Sequence, residues 1–150
     1  MSELIYYATI AVDEGGYYLV RFPDLPGAAT DGASREEALE EAADCLAEAV
    51  AGYLTRRQPV PEPVARGDVA IPLDPLLAAK AGLNNAMLAA GVSRTMLADR
   101  LGIDEKAVRR LLDPRHQSHI RSVLRAAGLL GLRAHVGFEM TPVYGAAFAH

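Results

Sequence analysis

The sequence is poor in the residues that build disulfide scaffolds and membrane spans. It has one cysteine and no tryptophan among 150 residues, and aromatic residues make up 6% of the chain. A lone cysteine excludes an intramolecular disulfide and favours a reducing compartment. No run approaches the about 18 apolar residues of a membrane helix, and the N-terminal residues lack the basic and apolar regions of a signal peptide. We therefore expect a cytoplasmic protein with no membrane partner.

Charge is distributed unevenly along the chain. The net charge is −4, yet residues 1–66 carry five basic and twelve acidic side chains, which gives −7. Residues 67–150 carry ten basic and seven acidic side chains, which gives +3. Halves of opposite sign favour two modules with different partners, and a basic half is compatible with nucleic-acid binding.

Two alternating runs in IYYATIAVDEGGYYLVRF predict a β-hairpin with its turn at residues 13–16. The stretch FPDLPG, residues 22–27, follows directly. Pro23 cannot donate to a sheet ladder, and Pro26 with Gly27 is typical of a turn. The stretch is therefore either a rigid corner between strands or a corner that presents a surface to a partner. The next residues, AATDG, predict a third strand that ends at Gly32.

A long amphipathic helix is predicted after the third strand. Ser34 and Glu37 have the spacing of a capping box, and apolar residues then recur at helical period. Cys45 lies on the apolar stripe, where a thiol packs rather than reacts. The outer face of the helix is acidic, with Glu36, Glu40, Glu41, Asp44 and Glu48. Prolines at 59, 61 and 63 predict an extended connector, and DVAIPL predicts a strand that returns to the sheet.

The rest of the chain is predicted to be helical up to Leu132, starting with Asp74 as a cap and Pro75 in the first turn. The expected breaks are at Gly91, Gly102, Asp113-Pro114 and Gly128. The tail RAHVGFEM alternates again and predicts a C-terminal strand with Ala134, Val136, Phe138 and Met140 on one side. A lone strand with an apolar face needs a neighbour, so we expect it to pair with its copy in a second chain; the alternative is that the tail returns to an edge of the sheet or stays disordered.

The segment SRTMLADRLGIDEKAVRRLLDP, residues 93–114, predicts a helix-turn-helix. Two closely crossing helices need a small residue at the crossing, and Ala98 supplies it. Gly102 suits the left-handed turn that follows the first helix. Val108, on the second helix, suits the position whose side chain fills the space at the crossing. Leu97, Leu101, Ile103 and Leu111 are expected on the core side, with Asp104 capping the second helix.

The candidate DNA-binding residues surround this second helix. Its N-terminal end enters the major groove in helix-turn-helix proteins, and Arg, Lys and Glu are side chains that recognise base edges. The candidate base readers are Glu105, Lys106, Arg109 and Arg110, and the candidate phosphate contacts are Arg94, Thr95, Arg115 and His116. The phosphate contacts set the position on the duplex.

An enzymatic function has little support in the sequence. Asp13, Asp24 and Asp31 follow or end strands, where carboxylates hold divalent metals in nucleases, but each lies within two residues of Gly or Pro, as turn aspartates do. We predict no catalytic residue, no metal site and no cofactor.

The two modules together resemble HicB antitoxins. The matching signature consists of Gly16, Tyr17 or Tyr18, Val20, Phe22, Pro23, Asp24, Leu25, Pro26, Gly27, Gly32, Glu37, Ala38, Leu39 and Ala42. The likeness extends over about residues 5–133 because the connector and the helix-turn-helix occur in the family's order. Ala28 departs from the family, in which cysteine or an aromatic residue is common.

The resemblance implies an α+β fold. An N-terminal β-β-β-α-β module, similar to part of the ribonuclease H fold but without its nuclease carboxylates, would occupy residues 1–73. A helix-turn-helix domain would follow at 74–132, and a strand and tail with a dimerisation role at 133–150.

The resemblance also implies the partners. The first module would bind a HicA-type messenger-RNA ribonuclease toxin, and the second would repress the operon through operator DNA as a dimer or higher even oligomer. The expected toxin-binding residues are Tyr17, Phe22, Pro23, Asp24, Leu25 and Pro26. Two alternatives remain: a one-component repressor whose first module senses a small ligand, and a stand-alone nuclease.

Overall fold

The computed structural model describes residues 3–138 and 140, an α+β fold with an antiparallel sheet followed by helices. The sheet has the order β3–β2–β1–β4, with β1 at Ile5–Val12, β2 at Tyr18–Arg21, β3 at Ala29–Gly32 and β4 at Val69–Pro72. The two halves of β1 have different neighbours, since residues 5–8 pair with β4 and residues 9–12 pair with β2. The predicted hairpin, third strand and returning strand are confirmed.

Helix α1, Arg35–Thr55, covers one face of the sheet. Ser34 accepts a hydrogen bond from the Glu37 amide at 3.1 Å, and the Glu37 carboxylate accepts one from the Ala33 amide at 3.0 Å. These two bonds form the capping box that the spacing of Ser34 and Glu37 predicts at the start of α1. The backbone at Gly32 runs so close to the Ala38 backbone that a Cβ has no room there. Glycine is therefore required where β3 meets α1.

Four further helices follow: α2 at Pro75–Ala90, α3 at Arg94–Leu101, α4 at Glu105–Leu112 and α5 at Ile120–Leu129. The side chains of Asp74, Ser93 and Asp104 cap the first three. Gly91 and Gly102 end α2 and α3 in the left-handed conformation, which glycine adopts without strain. The predicted break at Gly128 is wrong, because α5 continues through it to Leu129.

Helix α2 belongs to both hydrophobic cores. Leu77 and Ala81 pack with the sheet and α1, whereas Leu83 and Met87 pack with α3, α4 and α5. The two packing clusters therefore meet inside α2. The division into domains at residue 73 stays a prediction.

Helix α2 also holds the connector. The Asn85 side chain accepts from the Val60 amide at 2.8 Å and donates to the Val60 carbonyl at 2.9 Å. Asn84 donates to the Gln58 carbonyl at 2.9 Å. These bonds satisfy backbone groups that an extended connector cannot pair by itself.

The predicted C-terminal strand is not formed in the single chain. Residues 132–138 and 140 have no regular secondary structure. Val136, Phe138 and Met140 are 65%, 96% and 86% exposed. A strand needs a neighbour for its backbone hydrogen bonds, and this segment pairs with no strand of the described sheet. The described residues of this segment thus do not extend the sheet, and pairing with a second chain stays a prediction.

Candidate functional site

The FPDLPG corner contains both buried and exposed residues. Phe22 and Leu25 belong to the core, with 3% and 1% of their surface exposed. The Phe22 amide donates to the Ala28 carbonyl at 3.1 Å, which closes the corner with its own backbone. Pro23 and Pro26 lie on the outside. The corner is rigid because its apolar residues are anchored below a proline surface.

Asp24 ties this corner to the connector. Its carboxylate accepts hydrogen bonds from the Val64 amide at 3.1 Å and the Ala65 amide at 3.0 Å. Nearby, the Tyr6 hydroxyl donates to the Pro61 carbonyl. Burial raises the pKa of Tyr6, and the negative charge of Asp24 raises it further. Both side chains fix the connector to the sheet through contacts across 40 to 55 residues, which local patterns do not reveal.

The six predicted toxin-binding residues therefore separate into two groups. Tyr17, Pro23 and Pro26 offer exposed surface, and Tyr17 is 50% exposed. Phe22 and Leu25 support that surface because they are buried in the core. Asp24 supports it by binding the connector. Within this set, the most exposed surface therefore belongs to the first group.

The outer face of α1 is strongly acidic. The five predicted carboxylates, Glu36, Glu40, Glu41, Asp44 and Glu48, are all exposed. Among the described residues only Glu48 of this set approaches a cation, at 3.9 Å from Arg115. This face therefore carries an uncompensated negative charge.

Helices α3 and α4 contain the residues predicted for a helix-turn-helix crossing. Ala98 and Val108 are buried, and Gly102 has φ of 68° in the turn between the helices. Leu97 and Leu111 lie in the core as expected, whereas Ile103 is 40% exposed, so its predicted core position is wrong. Ile103 directly follows the left-handed turn, which leaves it near the surface.

Glu105 organises two of the predicted DNA-binding arginines. Its carboxylate lies 2.6 Å from Arg109 Nη2 and 3.3 Å from Arg94 Nε. The hydrogen bond from Arg109 is the main cause that lowers the pKa of Glu105, so the carboxylate is ionised at neutral pH. The structure thus brings a predicted phosphate contact and two predicted base readers together. Lys106 and Arg110 stay exposed beside them.

A buried lysine that the sequence reading missed supports the end of α4. Lys80 is 1% exposed, and its ammonium donates to the carbonyls of Arg110, Asp113 and His116 at 3.1, 2.6 and 2.7 Å. It also donates to Ser118 Oγ at 3.0 Å. A cation at the carbonyl end of a helix is stabilised by the helix dipole. Burial lowers the pKa of Lys80.

The predicted phosphate contacts after α4 lie on the turn that Lys80 holds. Arg115 and His116 are both exposed, and the His116 ring hydrogen-bonds to Ser118 at 3.0 Å. Thr95 is exposed at the start of α3. Lys80 itself was not predictable, because its partners lie 30 to 38 residues away.

Two of the three strand-end aspartates have structural partners. Asp13 accepts from the amides of Gly15 and Tyr17, each at 2.9 Å, and Asp24 holds the connector. Asp31 is exposed on β3. Within residues 3–138 and 140, no three His, Cys, Asp or Glu side chains are grouped to hold a metal ion.

Comparison with known proteins identifies the family. Residues 5–82 match the family described as HicB-like antitoxin of bacterial toxin–antitoxin systems. Antitoxin HicB 1 of Photorhabdus laumondii is 38% identical over 85% of this chain and 82% of its own length. Antitoxin HicB of Pseudomonas fluorescens is 36% identical over 92% and 97%, and Antitoxin HicB of Escherichia coli is 34% identical over 84% and 93%. The chain belongs to the HicB-like antitoxin family.

The likeness of this HicB-like antitoxin to its relatives is not confined to the sheet. The family match ends within α2, but the Pseudomonas alignment covers so much of the chain that it includes α3 and α4 as well. The resemblance inferred from the signature residues is thereby confirmed. In the described part of the chain, none of the helices is both long enough and apolar enough to span a membrane.

Proposed function

We propose that this HicB-like antitoxin neutralises a HicA-type toxin, a messenger-RNA ribonuclease, and represses its own operon by binding operator DNA. The observation that carries the proposal is the likeness to HicB antitoxins over most of the chain. The same likeness favours a regulatory rather than a catalytic role.

Toxin binding is assigned to the sheet and α1. The corner offers Tyr17, Pro23 and Pro26 on a rigid support, and residues 1–66 carry a net charge of −7. A ribonuclease needs a basic surface to hold RNA, so opposite potentials would accelerate its encounter with this module. Occupying that basic surface would also keep RNA away from it.

DNA binding is assigned to α3 and α4. The small residue Ala98, the left-handed turn at Gly102 and the plug Val108 occur together, as in helix-turn-helix proteins. Lys106 and Arg110 are free to reach base edges, whereas Glu105 orients Arg109. Arg94, Thr95, Arg115 and His116 flank this surface and suit phosphates.

A dimer is assigned to the tail. Three large apolar side chains, Val136, Phe138 and Met140, are exposed in the single chain. Pairing of residues 133–140 with a second copy would cover them and would provide two DNA-binding units for two half-sites. Sedimentation of a chain truncated after Leu132 tests this assignment. We expect a monomer with weakened operator binding, and a truncated chain that stays as dimeric as the full chain would contradict it.

The toxin assignment is tested with the full chain and the small basic protein encoded beside it. We expect the chain to stop RNA cleavage at equimolar ratio. Tyr17→Ala with Pro23→Ala should raise the concentration needed, while Val12→Ala, which is 59% exposed and outside the corner, should not. Unchanged cleavage in the presence of the wild-type chain would contradict the assignment.

The operator assignment is tested by fluorescence anisotropy with the DNA upstream of the operon and a shuffled duplex of equal length. We expect at least about 10³-fold preference for the operator, in the range of specific DNA-binding proteins. Equal affinity for both duplexes would exclude sequence-specific repression.

A further inference from the structure

A groove of about 400 Å³ separates the end of α1 from the α3–α4 pair. Its charged lining consists of Arg57, Arg94, Lys106, Arg109, Arg110 and Asp113. The carboxylate of Asp113 accepts from the Arg115 amide at 2.9 Å, so it is used in its own turn. The groove is therefore strongly cationic, and one of its cations comes from the sheet module rather than from the helical region.

That cation is Arg57, and the backbone directs it into the groove. It follows the end of α1 with a left-handed φ of 56°, uncommon for a residue other than glycine, and its amide donates to the Leu54 carbonyl at 3.1 Å. Arg57 is half-buried, and no salt bridge within the described residues includes it. Burial and the like charge of Arg94 both lower the pKa of Arg57. Arg94 already has the Glu105 carboxylate as a counterion at its Nε, whereas Arg57 forms no salt bridge within the described residues, so a further anion between the two guanidinium groups would stabilise Arg57.

The preceding residue shows a different arrangement. Arg56 donates from Nε to Gln58 Oε1 at 3.0 Å, and its guanidinium lies 5.1 Å from the centre of the Tyr53 ring. It does not line the groove. Adjacent arginines thus differ in partner and direction, although they contribute the same charge.

We propose that Arg57 is a phosphate contact of the DNA-binding surface and binds, together with Arg94, a backbone phosphate of duplex DNA. The inference rests on the proposed function, because α3 and α4 must bind DNA. A polymer of phosphates suits the groove better than a single anion, since its cations extend from the end of α1 along α4. Arg57 follows the C-terminal end of α1, so the end of the helix with the acidic outer face would lie next to the DNA.

The test compares Arg57→Ala with Arg56→Ala in the full chain, because both variants lose one positive charge from neighbouring positions. The measurement is the affinity for operator and shuffled duplexes as a function of salt concentration. Arg57→Ala should weaken both by a similar factor and reduce the slope of log affinity against log salt by about 0.9, as for one lost phosphate contact. Arg56→Ala should leave the slope unchanged. Arg57→Lys should restore most of the slope that is lost in Arg57→Ala. This variant separates the loss of a phosphate contact from a folding defect.

The same binding experiment distinguishes a failure of the proposed DNA-binding function from a failure of the role given to Arg57. If the wild-type chain binds neither duplex, the proposed DNA-binding function is wrong, and the role of Arg57 as a phosphate contact is wrong as well. If the wild type binds and the two alanine variants have equal slopes, only the role of Arg57 is wrong. If inorganic phosphate raises the melting temperature of the wild type and Arg56→Ala but not of Arg57→Ala, while the slopes are equal, Arg57 binds a free anion and the assignment to DNA is overturned.

Discussion

The two halves of the molecule stabilise their candidate binding surfaces with an acidic side chain in one half and a basic side chain in the other. In the sheet module the carboxylate of Asp24 accepts from two backbone amides of the connector. In the helical region the ammonium of Lys80 donates to three backbone carbonyls after and within α4. Both side chains act across more than 25 residues of chain, and each fixes a segment that carries candidate binding residues.

The two sites differ in burial, and this difference sets how much each is expected to contribute. Asp24 is half-buried, whereas Lys80 is 1% exposed. Water replaces part of a hydrogen bond lost at a half-buried site, but it has little access to the position of a buried ammonium. The turn after α4 therefore depends on one buried side chain, whereas the FPDLPG corner is supported by Phe22 and Leu25 as well as by Asp24.

The largest effect is expected for Lys80→Met. The variant keeps the length of the side chain but removes the four hydrogen bonds that the buried ammonium donates, and each of the three carbonyls keeps a backbone amide as donor. The free energy of unfolding should fall by about 3–5 kcal/mol, because hydrogen bonds from a charged group are strong. Urea unfolding provides the measurement. Lys106→Met is the matched control, since these are the two lysines of the chain and Lys106 is exposed. Equal stability of the two variants would contradict the role given to Lys80.

The next effect concerns the proposed DNA recognition, whose candidate base readers all lie in the helical region. Lys106→Ala and Arg109→Ala should each relax specificity at one operator position at a cost of about 1–3 kcal/mol. Competition binding with single-base operator variants measures this. Arg100→Ala, an exposed arginine of α3, is the control. Equal losses on operator and shuffled DNA would place these side chains on phosphates instead.

A smaller effect is expected for Asp24→Ala. Loss of the amides' acceptor should lower the free energy of unfolding by about 1–2 kcal/mol, because water replaces part of the interaction at this half-buried site. Toxin inhibition should weaken as well, since the corner loses one anchor. Asp31→Ala, with the same change of charge on exposed β3, should have little effect on either. A loss as large as that of Lys80→Met would contradict the comparison.

The smallest effect is expected for Glu105→Gln. Removal of the carboxylate releases Arg94 and Arg109 and removes a negative charge beside the DNA-binding surface. Affinity for shuffled duplexes should rise about threefold, with a steeper salt dependence. Asp99→Asn, an exposed carboxylate of α3, controls for net charge. A fall in affinity for shuffled DNA would show that Glu105 positions the arginines for phosphate.

The family was accessible from the sequence, but part of the candidate sites was not. Signature residues such as Pro23 and Gly27 are close in sequence and need no knowledge of the fold. The signature did not separate exposed Pro23 from buried Phe22, because both occur in one stretch and only packing against α1 and the sheet buries one of them. The groove residue Arg57 was also missed, since its neighbours come from α3 and α4.

Rules that act over a few residues determined much of this protein from its sequence alone. The caps at Ser34, Asp74 and Asp104 and the left-handed turn at Gly102 follow from hydrogen bonds and backbone freedom within one helical turn. Only the tertiary structure decided the contacts of Lys80, Asp24 and Arg57 and the helical state of Gly128, because these depend on residues far away in the chain. Local chemistry fixes where elements begin and end, whereas burial and long-range pairing decide which side chains support a surface and which form it.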